Sequence, residues 1–177
     1  MAYYMSDVID PRVANRLSPN KDCSLDELRR IGVHFIKVDF DAPDSDDQLE
    51  KIAKQFDMNH RDIVEISAKT MPDFGDKLKM FFREHLHNDA ELRVVKEGNG
   101  YFDVRDDQDR WIRIPVTRGD FVFLPSGIYH RFSPDTEERV VAVRLFRSNP
   151  KWQAHNRDED GDQQTERHDY LKSIKAN

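Results

Sequence analysis

Cysteine is almost absent from this sequence, because Cys23 is the only one among 177 residues. One thiol cannot form an intramolecular disulfide, which favours a reducing compartment over a secretory one. The first residues have no apolar stretch behind a basic start, so no signal peptide is expected. No segment approaches the ~18 apolar residues that a membrane helix requires. These absences predict a soluble cytoplasmic protein, whose small size would also permit passage into the nucleus.

An excess of basic residues is also lacking. The chain has 28 lysines and arginines against 34 aspartates and glutamates, a formal net charge of −6. Because nucleic acid binding requires a concentrated basic face, we expect neither nucleic acid nor membrane as a partner. The length suffices for one domain with a core and is short for two. We therefore predict a single domain over residues 1–177, and the acidic surface and small size favour a monomer.

Residues 1–84 are predicted to be mainly helical. The segment 24–32 begins with Ser24, has Glu27 three residues later and ends at Gly32, which is the pattern of a capping box followed by a helix stop. A strand is predicted between the first two helices, at 33–40. Further helices are predicted at 46–56, at 59–67 with Asn59 as its cap, and at 76–82.

From about residue 85 the sequence changes to short β-rich runs. Turn-forming residues such as Gly98-Asn99-Gly100 and Pro125-Ser126-Gly127 separate them. Many short strands at such spacing indicate an antiparallel sandwich or barrel. We predict a mainly β fold with several helices, mostly in the N-terminal half. Its β-barrel core is placed at about 85–147, followed by a polar tail at 148–177 that includes a short helix at 168–174.

Two histidines one residue apart, followed by a glutamate, are the first candidate for a functional site. On a helix, His85 and His87 would lie about 200° apart around the axis, whereas on a strand alternate residues share a face. On a straight strand Glu91 would lie ~20 Å from His85, beyond any common coordination sphere. The chain must therefore turn at 88–90. We predict a bent hairpin with the histidines on one arm and Glu91 starting the next.

His130 is the fourth candidate ligand, because Gly119 and the turn at Pro125–Gly127 precede a run that can present it inward. Three imidazoles and one carboxylate suit a first-row divalent metal, and in octahedral geometry they leave two adjacent positions for a chelating substrate. Zinc would also accept three histidines and would favour hydrolysis. An isolated His-x-His pair is often only two surface histidines. Surface or core roles are predicted for the remaining histidines: His34, His60, His155 and His168.

The same residues resemble the two motifs of the cupin superfamily. The first motif is H-x-H, three or four residues, E, six residues, G, and the second is G, five residues, P-x-G, two residues, H. The matching positions are His85, His87, Glu91, Gly98, Gly119, Pro125, Gly127 and His130. The sequence departs from the motifs at Lys79, where a glycine is expected, and at Pro134, where an asparagine is expected. Neither position supplies a ligand.

Within the cupins the sequence resembles the acireductone dioxygenase family more closely. The stretches EHLH, GYFDVRD, WIRI, PSGIYHRF and SLDELRRIGV carry this likeness, which extends over about residues 3–172. Ala90 stands where the family usually has an acidic residue, and Val94 stands where it has Tyr or Phe. These departures bear on hydrogen bonding behind the ligands or on pocket shape, and they leave the ligands themselves in place.

The resemblance implies a dioxygenase of the methionine salvage pathway with one Fe(2+) or Ni(2+) per chain, held by His85, His87, Glu91 and His130. Its substrates would be O2 and acireductone, 1,2-dihydroxy-3-keto-5-methylthiopentene, which would bind through two oxygens as a dianion. With iron the implied products are 2-keto-4-methylthiobutanoate and formate. With nickel they are 3-methylthiopropionate, carbon monoxide and formate.

Roles for further side chains are also predicted, some from the resemblance and some from the residues themselves. Arg93 shares strand parity with Glu91 and would bind the anionic oxygens of the substrate, as a catalytic and substrate-binding residue. Arg144, the single charge in the run VVAVRLF, is the second such candidate. Glu84 and Asp89 are candidates for orienting the imidazoles. Three aromatic side chains would exclude water and receive the methylthio tail: Phe81, Phe132 and Trp152.

Two alternatives remain open at this point. A cupin isomerase or hydrolase that uses zinc would have the same ligands but would consume no oxygen. A cupin retained as a non-catalytic binding module would typically have lost ligands, whereas all four are present here. Metal content and oxygen uptake with an enediol substrate distinguish the three possibilities.

Overall fold

The computed structural model of the protein describes residues 1–6, 8–147 and 153–175. Its helices are α1 Leu25–Arg30, α2 Ser45–Gln55, α3 Phe74–Phe82 and α4 Thr165–Lys175, with a 3-10 helix at Gly161–Gln163. Its strands are β1 Tyr3–Met5, β2 Arg16–Asp22, β3 His34–Lys37, β4 His60–Ile66, β5 His85–Leu86, β6 Glu91–Gly98, β7 Gly100–Arg105, β8 Trp111–Val116, β9 Asp120–Leu124, β10 His130–Pro134, β11 Val140–Phe146 and β12 His155–Asn156.

The strands form two antiparallel sheets. The seven-stranded sheet has the order β12-β5-β10-β7-β8-β1-β2, and the five-stranded sheet has the order β3-β9-β6-β11-β4. Apolar residues of both sheets share one buried cluster, in which Val95 and Ala142 of the five-stranded sheet meet Phe102 and Ile114 of the other. The core therefore lies between the sheets, which confirms the predicted mainly β, antiparallel architecture.

The capping box predicted at the start of α1 is present. Ser24 Oγ accepts a hydrogen bond from the backbone N–H of Glu27 at 3.1 Å, and Glu27 Oε2 accepts one from the backbone N–H of Ser24 at 2.7 Å. Gly32 follows the helix with φ of +77°, a conformation that favours glycine. Helices α2, α3 and α4 overlap the segments predicted for them. No helix in the described ranges is long and apolar enough to span a membrane.

The helix predicted at 59–67, with Asn59 as its cap, is wrong, because this segment forms β4. The strand pairs with β11 along its whole length. Val64 and Ile66 line a cavity, whereas Ile63, the residue before Val64, is 62% exposed. This alternation is that of a strand at the edge of a sheet. Residues 1–84 thus contribute four strands to the sheets in addition to three helices.

The chain bends between β5 and β6, as predicted, but it does not form a hairpin there. Strand β5 pairs with β10 and β12, and β6 pairs with β9 and β11. The bend at 87–90 therefore carries the chain from one sheet to the other. Gly119 and Gly127 have φ of +87° and +79°, so the turns predicted around β9 do rely on glycine.

Candidate metal centre

Three histidines and one glutamate meet at one end of the space between the sheets. His85 and His130 begin β5 and β10 and are direct cross-strand partners, with ring centroids 4.5 Å apart. His87 follows β5 directly, and Glu91 begins β6 in the opposite sheet. The bend between the sheets thus brings the glutamate to the histidines.

The donor atoms are spaced as ligands of a single ion. Those of His85, His87 and His130 all lie within 4.8 Å of one another. Glu91 Oε2 lies 3.4 Å from Nε2 of His87 and 3.4 Å from Nε2 of His130. Since metal–nitrogen bonds are about 2.0–2.1 Å long, ligands at right angles around one ion lie about 3 Å apart. The structure therefore brings all four predicted ligand side chains together.

Each of the three imidazoles is hydrogen-bonded through Nδ1 to a backbone carbonyl. The Nδ1–O distances are 2.7 Å from His85 to Arg83, 2.8 Å from His87 to Gln153 and 3.0 Å from His130 to Ile128. When Nδ1 donates to a carbonyl, Nε2 is the unprotonated nitrogen and is available to a metal. The three rings are thus fixed in the tautomer that a metal centre requires.

Glu84 does not orient an imidazole directly, contrary to the prediction. Its carboxylate forms ion pairs with Arg105 and Arg157, at 2.9 and 2.8 Å. Asp89 is exposed in the bend between β5 and β6, and the three carbonyls already engage the outward ring nitrogens. Backbone carbonyls therefore hold all three Nδ1 atoms, and no pattern of side chains in the sequence indicates such bonds.

The environment favours the protonation states that bind a metal. Burial, with His130 nearby, lowers the pKa of His85 to about 3, and burial also lowers the pKa of His87. Burial alone would raise the pKa of Glu91, but Arg93 and the neighbouring imidazoles outweigh it and hold that pKa well below its usual range. At neutral pH His85 and His87 are therefore neutral and Glu91 is ionised, as metal binding requires.

His130 gives a second indication that the four residues fit a metal. Its Nε2 is buried and has no hydrogen-bond partner among the residues that the structure describes. A buried polar atom without a partner destabilises the fold by about 1 to 3 kcal/mol. A divalent cation beside Glu91 would supply the missing partner.

A cavity of about 470 Å³ opens beside these four side chains. Phe81 and Phe132, both predicted substrate-binding residues, line it. The third predicted aromatic residue, Trp152, lies outside the described residues.

The apolar wall of the cavity includes residues that the sequence did not indicate. Val64 and Ile66 come from β4, and Met71 and Met80 come from the segment that leads into α3 and from α3 itself. Val64 and Ile66 were missed because β4 was interpreted as a helix. The available signal was the β-branched run Ile63–Ile66, which favours a strand.

Two arginines form a positively charged wall of the same cavity. Arg93 of β6 and Arg144 of β11 are direct cross-strand partners, and both line the cavity. Asp62 of β4 lies opposite Arg144 and accepts two hydrogen bonds from its guanidinium, at 2.7 and 2.5 Å. Arg93 Nε lies 3.4 Å from Glu91 Oε1, so Arg93 and Glu91 share a face, as their strand parity predicted.

The other histidines lie away from the cavity wall. His34 packs edge-on against two phenylalanine rings, and His60 and His168 are exposed. His155 is buried beside β5, where its Nδ1 lies 2.7 Å from Asp160 Oδ2. The sequence did not indicate that His155 lies next to the strand that carries two of the candidate ligands.

Known proteins resemble this chain in both sequence and fold. Residues 1–154 match the ARD/ARD' family. Acireductone dioxygenases of Rattus norvegicus and Homo sapiens are 45% and 46% identical over 160 residues, which cover 90% of this chain and 89% of each relative. The chain belongs to the acireductone dioxygenase family. The member from Ixodes scapularis is 44% identical over 177 residues, covering 98% of this chain and 96% of the relative.

A solved structure in the acireductone dioxygenase family has the same fold. The enzyme from Bacillus anthracis, described with a cadmium ion in its active center, superposes with a TM-score of 0.64 at 20% identity. The superposition covers 74% of this chain and 87% of that chain. At this identity the likeness shows the fold alone, and the fold is the predicted cupin. Membership of the acireductone dioxygenase family makes the chain an enzyme of the dioxygenase class.

Proposed function

We propose that this chain oxidises acireductone, 1,2-dihydroxy-3-keto-5-methylthiopentene, with O2 at a centre that holds one divalent metal ion. The observation that carries the proposal is the convergence of His85, His87, His130 and ionised Glu91 at the end of a cavity whose wall carries two arginines. Family membership supports the choice of substrate. The cadmium ion of the Bacillus anthracis enzyme supports a divalent metal here.

Iron or nickel would be held by the three imidazoles and the carboxylate, a donor set that suits either metal. When bound, the ion supplies a template and a Lewis acid for the enediolate and O2. We propose 2-keto-4-methylthiobutanoate and formate as the products with iron. With nickel we propose 3-methylthiopropionate, carbon monoxide and formate.

The protein itself binds and shields the substrate. Arg93 and Arg144 face the cavity together, and their guanidinium groups would bind the anionic oxygens of the dianion. Phe81 and Phe132 would exclude water from the reacting carbons. The methylthio tail would extend to the apolar wall that includes Met71 and Met80, where sulfur and methyl groups make favourable contacts.

The test is the anaerobic addition of the enediol to iron-loaded and nickel-loaded protein, followed by O2 and identification of the products. We expect oxygen uptake with both metals and a different product set with each. The variants His87→Ala and Glu91→Ala should lose both the metal and oxygen uptake. His168→Ala, which removes an exposed histidine, is the matched control and should retain both.

Other outcomes would select an alternative. Protein that holds zinc and consumes no oxygen with the enediol would indicate a cupin isomerase or hydrolase. Metal content near zero in protein produced with iron and nickel available would indicate a non-catalytic binding module.

The cellular setting is proposed from the sequence alone. We propose that the enzyme acts in methionine salvage, in the cytoplasm and with access to the nucleus, and that it is a monomer. Sedimentation of the metal-loaded protein tests the monomer, and growth on methylthioadenosine after deletion of the gene tests the pathway.

A further inference from the structure

The residues after 152 run beside the strand that carries two of the candidate ligands. In β12, His155 pairs with Leu86 and Asn156 pairs with His85, the first residue of β5. The backbone N–H of Arg157 donates to Glu84 O at 3.1 Å. This segment is therefore an edge strand laid along β5.

Of the three imidazoles, one depends on this segment for its orientation and the other two do not. His85 and His130 each bond to a carbonyl two residues earlier in the chain, on Arg83 and Ile128, just before β5 and β10 begin. His87 instead bonds to the carbonyl of Gln153, 66 residues away in the chain. If β12 shifts, only His87 loses the acceptor that fixes its tautomer and ring orientation.

A closed ring of four side chains fastens this segment to the bend between β5 and β6. Asp160 Oδ2 lies 2.7 Å from His155 Nδ1 and accepts a bond from Gln164 Nε2 at 3.1 Å. Asn88 Nδ2 lies 3.3 Å from His155 Nε2 and 3.3 Å from Gln164 Oε1. Since an amide nitrogen only donates, His155 Nε2 is the acceptor and its proton is on Nδ1. Every member thus bonds to two others, and Asn88 is the neighbour of His87 in the chain.

We propose that this ring, Asp160–His155–Asn88–Gln164, is a positioning element that holds the Gln153 carbonyl against His87 and thereby sets the affinity of the centre for its metal. The proposal rests on the proposed function, because it requires a metal at the four ligands. Three members of the ring, His155, Asp160 and Gln164, lie beyond residue 154, the last residue that the family model matches. None of the four residues lines the cavity.

The test measures the Ni²⁺ affinity of metal-free protein by calorimetric titration. Where binding is too tight to measure directly, a competing chelator is added. Asp160→Ala removes the acceptor that His155 and Gln164 share, and we expect the Ni²⁺ affinity to fall about 10- to 100-fold, as is typical when a partner behind a ligand is lost. Asp160→Asn keeps one oxygen that can accept both bonds and should restore most of the affinity. Asp169→Ala, which removes an exposed aspartate of α4 that pairs with Lys172, is the matched control.

A second measurement separates positioning from stability. In Co²⁺-loaded protein the paramagnetically shifted Nδ1–H signal of His87 should move or vanish in Asp160→Ala and remain in Asp169→Ala. If Asp160→Ala does not fold, Gln164→Ala opens the ring while keeping the contact between Asp160 and His155, and the same changes are expected. Unchanged Ni²⁺ affinity and an unchanged His87 signal in a folded ring variant would overturn the proposal.

Failure of the proposed function would be recognised separately. In that case the unsubstituted protein would not bind one equivalent of Ni²⁺, or His87→Ala would bind it equally well. If the unsubstituted protein binds and Asp160→Ala binds as tightly, only the positioning role is wrong.

Discussion

Each sheet carries a row of two arginines and one aspartate on adjacent strands, but the order of the charges differs. In the seven-stranded sheet the aspartate is central, in the closed row Arg131–Asp103–Arg113 on β10, β7 and β8. In the five-stranded sheet it is at one end, in the open row Asp62–Arg144–Arg93 on β4, β11 and β6. The same three charges therefore form two different arrangements.

The charged groups of the closed row are hydrogen-bonded to one another and to backbone carbonyls. Asp103 accepts bonds from Arg113 at 2.7 and 2.8 Å and from Arg131 at 2.9 Å. The remaining amino group of Arg113 donates to the carbonyls of Pro11 and Val13. Arg113 and Asp103 are fully buried, and such a charge group is tolerated because each charge has a partner. This row holds strands together.

The open row leaves two positive charges side by side. The guanidinium of Arg144 is hydrogen-bonded to Asp62. Arg93 lies directly opposite Arg144 and forms an ion pair with Glu91. Like charges directly opposite in a sheet are unfavourable, and both face the cavity. A ligand that brings negative charge would relieve this repulsion. The order of charges, rather than their number, thus separates a structural row from one that suits an anionic substrate.

The largest expected effect comes from breaking the closed row with Asp103→Ala. This change leaves buried Arg113 and half-buried Arg131 without their carboxylate, so the free energy of unfolding should fall by about 3 to 5 kcal/mol. Urea unfolding of the metal-free protein measures it. Asp26→Ala removes an exposed aspartate paired with Arg29 and should have little effect. A loss from Asp103→Ala as small as that of the control would show that the closed row is not structural.

Breaking the open row should affect turnover and leave folding intact. Arg93→Ala is expected to lower kcat/KM about 100-fold, or ~2.7 kcal/mol, because one cation is lost from the substrate oxygens. Arg93→Lys keeps the charge without the planar guanidinium, so its kcat/KM should lie between those of the unsubstituted protein and Arg93→Ala. Metal content, measured by mass spectrometry, should stay near normal. A metal-depleted Arg93→Ala protein would mean that Arg93 supports the ligands instead of the substrate.

A smaller effect is expected where the aspartate of the open row is changed. Asp62→Asn keeps a hydrogen-bond acceptor for Arg144 but removes the charge that fixes it, so we expect about a tenfold fall in kcat/KM, or ~1.4 kcal/mol. Glu65→Gln on the same strand removes a carboxylate that pairs with Arg139 and is the matched control. Equal activity in the two variants would show that Arg144 needs no orientation by Asp62.

The sequence predicted that the four candidate ligands would lie together because strand parity and turn residues are local properties. Parity on a strand placed His85 with His87 and Arg93 with Glu91, and the need to bring Glu91 back required the bend at 88–90. What the sequence could not predict depends on contacts between distant segments. The carbonyl of Gln153 behind His87 is one such contact.

The wrong helix at 59–67 shows a second limit. Its short apolar run fits either period, and only the pairing with β11 makes it a strand. With β4 misassigned, Asp62 could not be recognised as the partner of Arg144. The same error removed Val64 and Ile66 from the predicted cavity wall.

The smallest effect concerns acid stability away from both rows. Burial, with a smaller contribution from Arg29, lowers the pKa of His34, which packs edge-on against two phenylalanine rings. The unfolded chain, with a His34 pKa of 6.5, takes up the proton first as the pH falls. The stability that neutral His34 contributes is therefore fully present above about pH 6.5. It is lost as the pH falls from there through the pKa of His34 in the folded protein. The free energy of unfolding should decline by less than about 1.4 kcal/mol per pH unit from this cause.

Urea unfolding at several pH values between 7 and 4 tests this expectation on His34→Gln and on His168→Gln, which changes an exposed histidine. The free energy of unfolding should decline less steeply with acid in His34→Gln than in the unsubstituted protein, and equally steeply in His168→Gln. Metal-free protein is required, because acid also releases a bound ion. Parallel declines in all three proteins would mean that His34 takes up its proton equally well in the folded and unfolded chains.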